Sequence, residues 1–185
     1  MMPRGIRASR RAVLGAGLTG ALAVPTLSGL AAWRWKHGEQ RVLLHDASLE
    51  AGRRFAGAGS ELGLAPRAIE GDRIRFAREI FAAKPALVAG VSRHADLLLI
   101  ADVAAEAGYV LAAEFEGRRR ACSGAQCLPG WAALGRMAKA SGQGWVETLA
   151  AYAANPGGNL PAPLAVAPSR PDAGLVLGWV LAPKK

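Results

Sequence analysis

PALVAGVSRHADLLLIADVAAEAGYVLAAEF, residues 85–115, reads as strand, turn, helix, stop and second strand in one pass. Ala86 to Val91 is a short apolar run, and Ser92 after it is the residue type that caps the first free amides of a helix. From Arg93 onward Leu97, Ile100, Ala104 and Ala107 recur at helical spacing, and Gly108 supplies the stop. Tyr109 to Phe115 is rich in β-formers. A strand, a helix and a second strand with so short a return imply a parallel pair joined by a right-handed crossover.

The same alternation runs upstream. Arg41 to His45 predicts a strand, with Asp46 to Ser48 as the turn and cap of a helix reaching Leu62. Leu49, Gly52, Phe55, Ala56, Gly59 and Leu62 fall on one face of that helix. Gly52, Gly57 and Gly59 each weaken it by about 1 kcal/mol relative to Ala, so close packing on a sheet has to compensate. Ala65 to Ile69 is a second, shorter strand, closed by Glu70-Gly71-Asp72. The next helix, Arg73 to Ala83, sets Ile74, Ala77, Ile80 and Phe81 on one side, and Lys84-Pro85 stops it.

Three successive strand-helix units predict an α/β fold: a small, mostly parallel sheet with helices on both faces, flavodoxin-like or doubly wound. After Phe115 the pattern loosens. Trp131, Leu134, Met137 and Ala138 mark an amphipathic helix, and Trp145 to Ala154 a second one beyond the Gly142-Gln143-Gly144 break. A proline-rich connection then leads to GLVLGWVL, residues 174–181, a closing strand expected beside the Tyr109 strand and antiparallel to it, because no apolar crossover helix precedes it. Trp131, Trp145 and Trp179 each sit inside an apolar pattern and are expected in the core.

Of the 185 residues 51% are hydrophobic, enough to bury a sizeable core. The net charge is +9, but Arg4, Arg7, Arg10 and Arg11 crowd an acid-free start, leaving an excess of five over the rest. With no basic motif interleaved with aromatics, nucleic-acid binding is not expected. CxxC, CxxCH and HExxH are absent, so no cofactor is assigned.

Ser9-Arg10-Arg11-Ala12-Val13-Leu14, with the mildly apolar, glycine-diluted run that follows, resembles a twin-arginine (Tat) signal peptide. Gly15 departs from that pattern, where a Lys is often found. Ala21-Leu22-Ala23 and Gly29-Leu30-Ala31 are small-x-small cleavage candidates. The chain thus divides into a leader at 1–32, a linker at 33–40 and a single α/β domain at 41–185. Val13 to Ala32 is also long enough to span a bilayer, with Trp33-Arg34-Trp35-Lys36 as an interfacial belt, so a retained anchor in the inner membrane is the alternative to cleavage. The resemblance implies the Tat translocase as a partner, a periplasmic domain, and transport in the folded state, often because a cofactor or partner is acquired in the cytoplasm. RVLLHD, AIEGD, the residue 87–109 unit and GWVLAP together resemble small Tat-exported proteobacterial proteins of no assigned activity.

In an oxidising compartment Cys122 and Cys127 are expected to form a disulfide, worth about 2 kcal/mol for so short a loop; two thiols or two metal ligands are the alternatives.

Open α/β sheets bind ligands beyond the carboxyl ends of their strands, and those ends carry His45-Asp46, Glu70-Gly71-Asp72 and Ser92-Arg93-His94. A His beside carboxylates suits acid/base chemistry or a metal, and a helix start with Ser92 and Arg93 suits an anion. Each also has an ordinary structural use: Asp46 and Ser92 as caps, Asp72 in a turn, His45 as a hydrogen-bonded edge residue. GxSxG is absent, and no nucleophile stands out. Two functions follow: an accessory or binding protein that partners an exported redox enzyme, or a small enzyme built on the strand-end His and carboxylates.

Overall fold

The structure, a computed structural model, describes residues 38, 40–116, 131–156 and 172–184. The leader, Arg10, Arg11, Cys122 and Cys127 lie outside the described residues. Strand β1 (Arg41–His45) leads to α1 (Glu50–Glu61), β2 (Arg67–Ala68) to α2 (Arg73–Ala82), and β3 (Leu87–Arg93) to α3 (His94–Glu106) and β4 (Tyr109–Glu116). The helices α4 (Ala132–Ala140) and α5 (Trp145–Ala154), joined by a 3-10 turn at Gly142–Gly144, and the closing strand β5 (Val176–Pro183) complete the described elements.

The strands form one five-stranded sheet in the order β2-β1-β3-β5-β4. β1 pairs in parallel with β2 over two positions and with β3 over five. β5 pairs antiparallel with β3 over six positions and with β4 over seven. The α/β class stands, and β5 does run antiparallel beside β4, but the sheet is mixed and most of its pairing is antiparallel, which corrects the expected mostly parallel sheet. The expected β3–β4 pair is corrected for the same reason. β4 keeps the direction of β3, yet β5 is inserted between them.

Side-chain shape accounts for the insertion. Trp179 of β5 lies opposite Gly90 of β3, and Gly178 lies opposite Phe115 of β4. A Cβ on Gly90 would stand 2.2 Å from the indole of Trp179, and one on Gly178 would stand 2.6 Å from both Phe115 and Trp145. Each large ring thus covers a glycine on the neighbouring strand, which gives close contact without overpacking. Every residue from Val176 to Ala182 is buried, as a strand covered on both faces should be.

Helices pack on both faces. One core layer joins Leu43, Leu87, Ala89, Val91, Phe115 and Val180 to Phe55 of α1, Leu134 of α4 and Val146, Leu149 and Tyr152 of α5. The other joins Leu44, Val88, Leu177, Trp179 and Leu181 to Ala77, Ile80 and Phe81 of α2 and Leu97, Ile100 and Val103 of α3. The expected core tryptophans are all buried, with Trp131 tilted against Tyr152 and Trp145 edge-on to Phe115. Arg54 of α1 makes a two-pronged ion pair with Glu147 of α5, at 2.9 and 2.8 Å, which fixes how these helices lie together.

Two of the three α1 glycines meet the expected need for close packing. A Cβ at Gly52 would lie 2.1 Å from the Asp46 carbonyl oxygen, and one at Gly59 would lie 2.6 Å from Leu43. Gly57 faces open space.

Candidate functional site

The carboxyl ends of β1 and β3 are neighbours, because the Asp46 amide continues the ladder by donating to the Val91 carbonyl at 3.0 Å. His45, Asp46, Ser92, Arg93 and His94 are therefore brought to one end of the sheet. Asp72 arrives separately, at the start of α2.

Asp46 turns the chain after β1. Its Oδ1 accepts from the Ser48 amide at 2.9 Å and from the Ser48 hydroxyl at 2.6 Å, a local turn of the kind this residue favours. Its Oδ2 faces the Arg93 guanidinium at 3.5 Å. The expected cap of α1 is thereby corrected. Asp46 serves its own turn, Leu49 stands at the cap position without a side-chain bond, and the carboxylate that does the capping comes from Asp172. Asp172 takes the Glu50 amide on one oxygen at 2.7 Å and the Ala51 amide on the other at 2.9 Å, from 122 and 121 residues away.

Ser92 is likewise corrected. It lies inside β3, fully buried, with Arg93 at the cap position of α3. Its hydroxyl donates to the Arg93 carbonyl at 3.1 Å and accepts from the indole N–H of Trp179 at 3.0 Å. A buried indole needs an acceptor, and Ser92 supplies it. Arg93 donates to the Ala173 carbonyl at 3.2 Å, while His94 is exposed and its amide reaches the Leu175 carbonyl at 3.4 Å.

Asp72 caps α2, accepting from the amides of Ile74 at 2.9 Å and Arg75 at 3.1 Å. These backbone bonds, Arg75 first, hold its carboxyl below the usual range. Next to it, Arg73 bonds Asp96 of α3 at 2.9 Å and the Gly71 carbonyl at 2.6 Å. Sequence reasoning missed Arg73, Asp96 and Asp172. Their spacing carries no motif, and only the fold brings each to its partner.

His45 keeps an open valence. Its Nδ1 is buried and bonded to nothing among the described residues, while its main-chain carbonyl accepts from the Ile69 amide at 2.8 Å. Burial lowers the imidazole pKa from its ordinary value, with Asp46 and Glu70 pulling the other way. The strand ends thus hold two internal ion pairs, Asp46–Arg93 and Arg73–Asp96, and one neutral-leaning imidazole. Among the described residues no group of three or more His, Cys, Asp or Glu side chains is arranged to hold a metal ion, and no helix is long and apolar enough to cross a membrane. Neither a protein-family model, nor a curated protein, nor a solved structure matches the chain.

Proposed function

We propose that this protein is a periplasmic accessory or binding protein, exported folded through the twin-arginine route and acting beside an exported redox enzyme. The observation that carries this reading is the state of the strand ends: Asp46, Asp72, Ser92 and Arg93 all bond to the protein's own groups. Residues spent on turns, caps and an indole acceptor support recognition over catalysis. The solvent face of α3 adds support, since Leu98 and Leu99 are 56% and 45% exposed there. Large apolar side chains side by side on a helix suit contact with another protein. The accompanying fold reading is a flavodoxin-like variant whose first three strands keep the order 2-1-3 and whose β5 is an antiparallel insertion.

Replacing Arg10 and Arg11 by Lys together is expected to abolish export of a fused reporter; transport through the general secretory route would overturn the export half of the proposal. Affinity capture from periplasm, comparing wild type with Leu98→Asp/Leu99→Asp, tests the other half. An exported oxidoreductase held by wild type and lost from the variant is the expected result.

The enzyme reading is kept for one observation, the unbonded Nδ1 of His45. A stoichiometric metal in the cytoplasmically folded protein, lost in His45→Ala, would favour it.

A further inference from the structure

Residues 172–175 form a strap. They leave the start of α1, where Asp172 is bound, cross the carboxyl end of β3, and enter β5 at Val176, which sits opposite Arg93. Three observations set the strap apart from the sheet it feeds. Ala173, Gly174 and Leu175 are all exposed, whereas Val176 to Ala182 are buried. Two of its fastenings are long bonds at the protein surface, Arg93 to the Ala173 carbonyl at 3.2 Å and the His94 amide to the Leu175 carbonyl at 3.4 Å. Gly174, at φ +84, provides a pivot that other residues rarely adopt.

The Asp172 carboxylate is the exception. Both of its oxygens are used, each by a separate amide of α1, and charge-assisted bonds of this length are the strong kind. They also supply the cap that α1 lacks, since Leu49 at its cap position makes no side-chain bond.

We propose that Asp172 is the catch of a conformational latch: while it holds, the strap lies across the end of β3 and the first turn of α1 is capped; when it lets go, strap and turn open together and the sheet stays closed. Opening frees the amides of Glu50 and Ala51 and removes one of the contacts that hold the Arg93 guanidinium. The Asp46–Arg93 pair is then left at the surface without its cover. The device belongs to the fold and goes beyond the accessory-protein reading, since it would gate the same end of the sheet in a binding protein or an enzyme.

Amide hydrogen exchange on the full chain tests the latch. In Asp172→Ala the amides of Glu50 and Ala51 are expected to exchange about tenfold faster than in wild type, the size expected for loss of a cap, while Trp179 and Val180 keep their protection. Asp172→Asn retains one acceptor oxygen and is expected to speed exchange at only one of the two amides. Unchanged exchange at Glu50 and Ala51 would overturn the proposal, and so would an equal rise at Trp179 and Val180, which would make strap and sheet one unit. Loss of the whole fold in both variants would overturn it too, because a local catch does not carry the sheet.

Discussion

Ser92 and His45 show how differently two polar residues fare at the same end of a sheet. Ser92 is satisfied, accepting from Trp179 and donating to its own chain, so Ser92→Ala strands an indole N–H in the core and is expected to cost about 1–3 kcal/mol by urea denaturation. A variant lacking both partners, Ser92→Ala with Trp179→Phe, is expected to cost less than the two single changes added together. His45 is not satisfied, and the consequence is a pH dependence. Its folded-state pKa lies below the ordinary 6.5, so between pH 6.5 and the lower folded value the unfolded chain holds a proton that the folded one refuses. Stability from this residue is complete above pH 6.5 and is lost as the pH falls through that interval. His45→Asn is expected to flatten the acid side of the stability profile, measured by thermal melting from pH 7.5 to 5; an unaltered slope would remove His45 as its source.

Helix α1 carries three glycines that the sequence alone treats alike. The structure separates them: Gly52 touches the backbone of the β1 turn, Gly59 touches Leu43, and Gly57 meets nothing. Gly57→Ala is therefore expected to stabilise the protein by up to about 1 kcal/mol, through helix propensity alone. Gly52→Ala is expected to destabilise it, since its new methyl would meet a carbonyl oxygen that cannot move aside without shifting the turn. Denaturant midpoints of the two variants moving in opposite directions would confirm the distinction. Much of the element pattern was legible beforehand, because helical spacing in residues 93–107 and the Glu70-Gly71-Asp72 turn are local signals, although Asp72, expected as a turn residue, proves to cap α2. The α1 cap was not legible. Asp172 bonds the Glu50 amide directly from 122 residues away, and a contact across that distance leaves no mark in either neighbourhood. Ser92 misled for a related reason: its position before a helix suggests a cap, and only the pairing with β5 and the cross-strand indole show that the strand runs two residues further, to Arg93.

At the scale of the whole molecule the sheet depends on its last strand. β5 contributes the two longest ladders and holds β4 to the rest, and no direct β3–β4 pairing stands behind it. A chain truncated after Gly174 is expected to lose cooperative unfolding altogether, monitored by circular dichroism, and under the proposed twin-arginine export a reporter fused to it is expected to stay in the cytoplasm. Export of that truncated chain would break the link between sheet completion and transport. The sequence signal for a central strand was present, an apolar run with no alternation from Val176 to Ala182, but adjacency to β4 was readable where adjacency to β3 was not, since the Gly90–Trp179 fit is a matter of shape across 89 positions. That placement also sets a clock. Chains grow from the amino end at roughly 5–20 residues per second, so β3 and β4 leave the ribosome with the slot between them vacant, and the strand that fills it is made only after α4 and α5. Completion of the sheet must therefore wait until β5 has been made, and in that interval two unpaired edges are exposed to any chaperone or neighbouring nascent chain within reach.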